Sequence, residues 1–168
     1  MKTTWNPDYS DVDWGTYTDA RDECFMAHEA LEYTYGAGNG VRTYKSVPFK
    51  PWVLEILTDL NSWGSTYNVC FLNRYENEKQ HLGWHSDDSP GMSRNHPIAV
   101  VSFGQEREIW WRKIGQTGLI PPEQRQLLAH GSIFVMPAGF QLTHQHRIPK
   151  GDRKMGVRVS LTFRHYIP

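Results

Sequence analysis

Arg158-Val159-Ser160-Leu161-Thr162-Phe163-Arg164 alternates without a break. In an extended chain successive side chains point to opposite sides. Val159, Leu161 and Phe163, with Val157 before them, therefore share one face, and Arg158, Ser160, Thr162 and Arg164 share the other. The apolar face requires a core. The polar face, if it points into a barrel, requires anions, because an unpaired buried guanidinium is costly. At ~3.3 Å per residue the backbones of Arg158 and Arg164 stand about 20 Å apart, so one small carboxylate cannot meet both head-on.

Working back along the chain, further short strands are predicted at Asn68–Tyr75, Ile98–Phe103, Glu108–Arg112 and Ser132–Met136, with the last strand lying in Gly156–Tyr166. The stretch 115–126 reads as a hairpin loop. Pro51 opens a helix to about Asn61, with Trp52, Leu54, Ile56, Leu57 and Leu60 as its apolar set. A shorter helix is expected near residues 19–30, followed by turns around Gly36-Ala37-Gly38-Asn39-Gly40. Helices first and many short strands afterwards predict an α+β protein. Its centre is an antiparallel sandwich or jelly-roll with helices packed on one side.

The 168 residues suit a single domain with one core. Eighteen Lys and Arg balance eighteen Asp and Glu, so net charge gives no sign of bulk nucleic-acid binding, and only local patches could supply it. Cys24 and Cys70 have neither metal spacing nor a disulfide framework, which fits a reducing compartment, and Cys70 reads as a small core residue. The amino terminus contains no apolar segment resembling a signal, and no run is long enough to span a membrane. The expectation is a soluble cytoplasmic protein (nuclear in a eukaryote) acting as a monomer.

Chemistry concentrates in Gly83-Trp84-His85-Ser86-Asp87-Asp88. His85 and Asp87 are two apart, so an extended segment turns an imidazole and a carboxylate to the same side. These are two members of a 2-His-1-carboxylate site, which leaves open positions on Fe(II). The third ligand lies in Thr143-His144-Gln145-His146-Arg147-Ile148-Pro149, where spacing alone leaves His144 and His146 as alternatives. Asn73 and Tyr75, also two apart, could finish a polar pocket for a dicarboxylate. One arginine of the last strand would pair bidentately with its distal carboxylate, and the other would reach toward the metal end.

Taken together, Leu72-Asn73-Arg74-Tyr75, His85-x-Asp87-Asp88, Pro97–Gly104, His130–Met136, His146-x-Ile148-Pro149 and the closing Arg158–Arg164 string resemble the AlkB family over roughly residues 30–166. The resemblance implies a double-stranded β-helix with a nucleotide-recognition lid. Residues up to about 66 would form the lid and supporting helices, and residues from about 67 to 168 the core. It implies iron held by His85, Asp87 and His146, the last preferred because Pro149 follows three residues on. It implies 2-oxoglutarate contacts from Asn73, Tyr75, Arg158, Ser160 and Arg164, with Ser160 standing where many relatives have Asn.

Asp88 matches an acidic residue beside the flipped base, and Tyr33, Tyr35, Tyr44 and Trp84 are rim or lid candidates around a base. Phosphate contacts are expected from Lys45, Lys50, Arg147, Lys150, Arg153 and Lys154. The implied activity is oxidative demethylation of bases such as N1-methyladenine and N3-methylcytosine in DNA or RNA. It consumes 2-oxoglutarate and O₂ and yields succinate, CO₂ and formaldehyde. Two other readings are an oxygenase acting on RNA, protein or a small molecule, and a non-catalytic nucleic-acid-binding module on the same scaffold.

Overall fold

A computed structural model describes residues 5–35 and 41–168. The glycine-rich turns expected at 36–40 lie outside the described residues. In chain order the elements are β1 (Thr16–Tyr17), β2 (Asp22–Ala27), β3 (Glu32–Tyr35), β4 (Arg42–Lys45), α1 (Pro51–Ser62), β5 (Val69–Tyr75), β6 (Leu82–His85), β7 (Ile98–Gly104), β8 (Arg107–Lys113), β9 (Arg125–Leu128), β10 (Ser132–Met136), α2 (Phe140–Thr143), β11 (His144–Ile148) and β12 (Arg158–Arg164).

The strands form a six-stranded sheet in the order β1-β2-β5-β12-β7-β10, a four-stranded sheet in the order β6-β11-β8-β9, and a separate β3-β4 hairpin. Every strand pairing is antiparallel. No helix among the described residues is long and apolar enough to cross a membrane.

The alternation in β12 organises both layers. Val159, Leu161 and Phe163 join Cys70 and Leu72 of β5 in a core covered by Trp52, Val53, Ile56, Leu57 and Leu60 of α1. Burying each large aliphatic side chain contributes about 1.5–3 kcal/mol before chain entropy is charged against it. Pro51 occupies the first turn of α1, where its missing donor has no helical partner to lose. Leu54, expected in the apolar set, is instead partly exposed, since it lies on the outer side of the helix.

The opposite face of β12 turns toward the small sheet. There Tyr75, Ile109, Leu128 and Ile148 form a second, inter-sheet cluster. Arg158, Ser160, Thr162 and Arg164 are all buried in this space, because β12 is central and flanked by β5 and β7.

The helix expected near 19–30 is not there. Its centre is β2, which runs from Asp22 opposite Arg74 to Ala27 opposite Val69 on β5. All six residues are buried, and Asp22 accepts from Arg74 Nη2 at 2.6 Å. A strand covered on both faces shows no clean alternation, so long-range pairing decides it rather than local preference. At the end of β7, Gly104 has φ +83°, and a Cβ there would collide with the Val157 carbonyl. Only glycine lets this turn close against the start of β12.

Candidate metal and co-substrate site

The small sheet brings the histidines together. His85 ends β6 and is the direct antiparallel partner of His146 on β11. Their rings lie 4.2 Å apart, centre to centre. Asp87 follows β6 in an irregular run, and its backbone N–H donates to Gln141 Oε1 at 2.8 Å. Its carboxylate then reaches both rings, with Oδ1 3.3 Å from His85 Nε2 and Oδ2 3.5 Å from His146 Nε2. One ligand atom from each of the three residues lies within 4.8 Å of the others.

His146, rather than His144, completes this cluster. The His144 ring stacks on Phe140 at 4.7 Å, and its Nδ1 pairs with the Thr143 hydroxyl at 2.7 Å.

The electrostatics suit a cation. Burial pushes the Asp87 carboxyl up, but its neighbours, led by the Arg164 guanidinium 3.3 Å away, hold the group well below the usual carboxylate range. Burial and the neighbouring His85 lower His146 to about 3, so its imidazole is neutral and has a lone pair to give. His85 Nδ1 donates to the Gly83 carbonyl at 2.7 Å, which leaves its Nε2 facing Asp87 as an acceptor. One ionised carboxylate and two imidazole nitrogens are the donor set of a facial Fe(II) site. Among the described residues, Asp87 Oδ2 and His146 Nδ1 are buried without hydrogen-bond partners, which fits a cluster whose ligand atoms face a cation rather than one another.

A cavity between the sheets leads from this cluster past Asn73, Tyr75, Ser160 and Arg164 to Arg158. Arg158 is fully buried, and among the described residues its guanidinium has one hydrogen-bond partner, the Ser102 hydroxyl, to which Nη2 donates at 3.0 Å. Its Nε and Nη1, the Tyr75 hydroxyl and Asn73 Oδ1 are all buried without a hydrogen-bond partner among the described residues. Burial lowers Arg158 to about 10, against the opposing pull of Tyr75. A lone buried cation of this kind is destabilising unless an anion completes it. Its surroundings fit the distal carboxylate of a short dicarboxylate. At the other end, Arg164 Nη2 lies 3.3 Å from Asp87 Oδ1, and Nη1 donates to the Tyr33 hydroxyl at 3.4 Å.

A second opening lies above the cluster. It is lined by Tyr33, Tyr44, Phe71 and Glu23 together with His85, Asp87 and Arg164. Glu23 is 2 % exposed and accepts from Tyr44 Oη at 2.9 Å and from Arg42 Nη1 at 3.3 Å.

Glu23 and Ser102 are absent from the sequence expectations. Glu23 sits in the segment misread as helix, whereas Ser102 sits on β7 opposite Ser160, with no sequence signal of its own. Tyr44 reaches the opening. The Tyr35 side chain lies outside what is described, although its backbone pairs with Arg42 in the hairpin. Asp88 is exposed and does not line the cavity. Trp84 points to the other face of the small sheet, where Arg112 and Arg147 lie over its ring. Lys50 is engaged with Asp11 and Asp13, and Lys45, Lys150, Arg153 and Lys154 are exposed.

Comparison with known proteins gives a consistent result. The model of the 2OG-Fe(II) oxygenase superfamily matches residues 10–164. Human alpha-ketoglutarate-dependent dioxygenase alkB homolog 3 is 33 % identical over 175 residues, covering 94 % of this chain and 59 % of the relative. Bovine DNA oxidative demethylase ALKBH2 is 34 % identical over 145 residues, covering 80 % of this chain and 52 % of the relative. The Arabidopsis thaliana protein of the same name is 32 % identical over 165 residues, covering 86 % and 52 %. The chain thus spans little more than half the length of these curated relatives.

Proposed function

This chain belongs to the 2OG-Fe(II) oxygenase superfamily and, within it, to the AlkB family, and from that premise we propose that it oxidatively demethylates N-alkylated bases in DNA. The observation that carries the proposal is the fully buried Arg158, which has no anionic partner among the described residues and lies in one cavity with the His85–Asp87–His146 cluster. A protein that only bound nucleic acid would gain nothing from that arrangement. The names of the relatives, two of them DNA oxidative demethylases, support the choice of substrate.

His85, Asp87 and His146 would hold Fe(II). Arg158 and Tyr75 would grip the distal carboxylate of 2-oxoglutarate, Asn73 and Ser160 would line its path, and Arg164 would stand at the metal-proximal end. Iron held there would, with 2-oxoglutarate and O₂, supply the oxidising power for release of an N-methyl group as formaldehyde, with succinate and CO₂ as the other products. The residues themselves bind, orient and exclude water. Gln141 fixes the Asp87 backbone, and Asp87 in turn holds Arg164 beside the metal position. Leu82, Val100, Ile109, Met136 and Ile148 give the cavity apolar walls, and a low-polarity surrounding strengthens each polar contact inside it.

A base in duplex or strand must leave its stack to reach this cavity. We read the β3-β4 hairpin as the lid, because its Tyr33 and Tyr44 side chains wall the opening. N1-methyladenine and N3-methylcytosine are cations. Glu23 is the carboxylate such a base would meet, since Asp87 is committed to the metal and Asp88 is exposed. The test is a substrate panel of methylated DNA, methylated RNA and methylated nucleosides, with formaldehyde detection. Release from DNA that depends on Fe(II) and 2-oxoglutarate supports the proposal. Turnover confined to RNA or nucleosides, or none, overturns it.

A further inference from the structure

The small sheet has a second face, turned away from the metal cluster. Neighbouring residues divide between the two faces: His85 and Trp84 on β6, His146 and Arg147 on β11, Trp111 and Trp110 on β8. The inward member of each pair meets the cavity or the inter-sheet core. The outward members build a stack with Arg112 of β8 and Arg125 of β9. Arg112 lies 4.2 Å over Trp84 and Arg147 lies 5.0 Å from the same ring. Arg147 also lies 4.6 Å from Trp110, over which Arg125 sits at 4.3 Å. Each indole is thus shared by two guanidinium groups, and Arg147 is shared by two indoles.

The stack gathers three positive charges and neutralises none of them. Arg112 donates from Nε and Nη2 to Gln145 Oε1 at 3.1 and 3.0 Å, and Arg125 donates to the Ile120 carbonyl. Both acceptors are uncharged. Among the described residues, no carboxylate lies within ion-pair distance of Arg112, Arg125 or Arg147. The Arg147 guanidinium has no hydrogen-bond partner among them, and its Nε is buried. Burial, then Arg112 and Arg125, lower its hold on its proton. Cation–π contact of about 0.5–1 kcal/mol per exposed pair aligns the groups and leaves their charge unanswered.

This face is also a groove. Trp84 and Trp110 line it with Arg125 and Arg147, and Lys150 and Arg153 add charge from the loop after β11. Glu106, Glu108 and Asp152 line it too, but Arg107, Arg125, Arg147, Lys150 and Arg153 outnumber them, and Glu108 is held by Trp110 Nε1 at 2.6 Å. The Arg125 and Arg147 forks line this groove and Arg112 ends the same stack over Trp84, and guanidinium forks match phosphate oxygens in geometry and charge.

We propose that the outward face of the small sheet binds the phosphodiester backbone of a nucleic-acid strand through Arg112, Arg147 and Arg125. The sheet itself separates this contact from the cavity where the base would react. The identity of the phosphate carrier rests on the function proposed above; the unneutralised arginine stack does not.

The test is fluorescence anisotropy with a labelled, unmethylated single-stranded DNA oligonucleotide over a series of salt concentrations. Each phosphate contact on a single strand contributes about 0.7 to the slope of log affinity against log salt. Replacing all three arginines with Gln should therefore flatten the slope by about 2 and weaken binding at low salt by about tenfold or more. Arg147→Gln alone should flatten it by about 0.7, and this single change at a half-exposed position is the readout if the triple variant melts early. Wild-type affinity and slope in Arg147→Gln overturn the proposal, as does equal competition by a polyglutamate peptide. A wild-type chain that binds the oligonucleotide through these arginines but releases no formaldehyde from methylated DNA supports this surface and sinks the proposed activity instead.

Discussion

Arg158 and Tyr75 are direct partners across β12 and β5, and the guanidinium carbon lies 5.4 Å from the centre of the phenol ring. Each carries a buried polar atom with no hydrogen-bond partner among the described residues. Isolated buried groups of this kind cost stability, and a carboxylate between them would turn that cost into binding.

Arg158→Met should therefore separate stability from function. Met is apolar and flexible enough to fill the space, so the melting temperature of the metal-free protein should stay level or rise. Affinity for 2-oxoglutarate should fall about 10- to 100-fold, as expected from the loss of a charge-assisted hydrogen bond worth ~1.5–3 kcal/mol. Thermal shift with Mn(II), with and without 2-oxoglutarate, measures both. A full 2-oxoglutarate shift in the variant contradicts the assignment.

The two histidines of β11 should behave differently. His146→Ala removes a group that faces Asp87 at 3.5 Å, whereas His144→Ala removes a ring stacked on Phe140 outside the cluster. Metal titration followed by tryptophan fluorescence should give near-complete loss of Mn(II) binding in the first and a change of less than about threefold in the second, since outer residues tune rather than supply the ligand set. Equal losses would put His144 back among the ligands.

Glu23 should govern the preference for cationic bases. Glu23→Gln keeps the shape and removes the charge, and should lower kcat/KM on N1-methyladenine by about 10-fold or more, the scale of one charged hydrogen bond. Asp88→Asn, at an exposed position, should change it by less than about threefold, as screened surface charges do. Competition between a cationic and a neutral methylated base reads the effect directly. A larger loss in Asp88→Asn would return the role to Asp88.

Both thiols should make the fold sensitive to alkali. Burial, aided by Asp13, pushes Cys24 up to about 12, and burial drives Cys70 well above its ordinary value of 9.0. A folded-state pKa raised above the unfolded one stabilises fully below the unfolded value and is lost as pH rises toward the folded one. Unfolding free energy should thus fall by about 1.4 kcal/mol per pH unit for each thiol above pH ~9. Urea melts at pH 8 and pH 10 check the slope, and a slope unchanged in Cys24→Ala would contradict it for that thiol.

The sequence was most readable where one strand carries two kinds of face. In β12 the apolar and polar positions separated cleanly, and the structure buries both, one against α1 and one in the cavity. β2 was unreadable for the opposite reason. Its six residues are all buried, so no period survives, and its register is set by β5 from a distant part of the chain. Glu23 was hidden with it.

Trp84 was legible in principle. Alternation about His85 puts it on the far face, where it joins the arginine stack. The choice between His144 and His146 was beyond spacing, because positions two apart share a face until a side contact such as Phe140 draws one away.

The most direct test of the central claim is to quantify succinate and formaldehyde together, from wild type and from His85→Ala, with a methylated DNA oligonucleotide, Fe(II) and 2-oxoglutarate. Wild type should yield equal amounts of the two products, and His85→Ala should yield neither. Formaldehyde released at the wild-type rate by His85→Ala, or by wild type without 2-oxoglutarate, would contradict the claim.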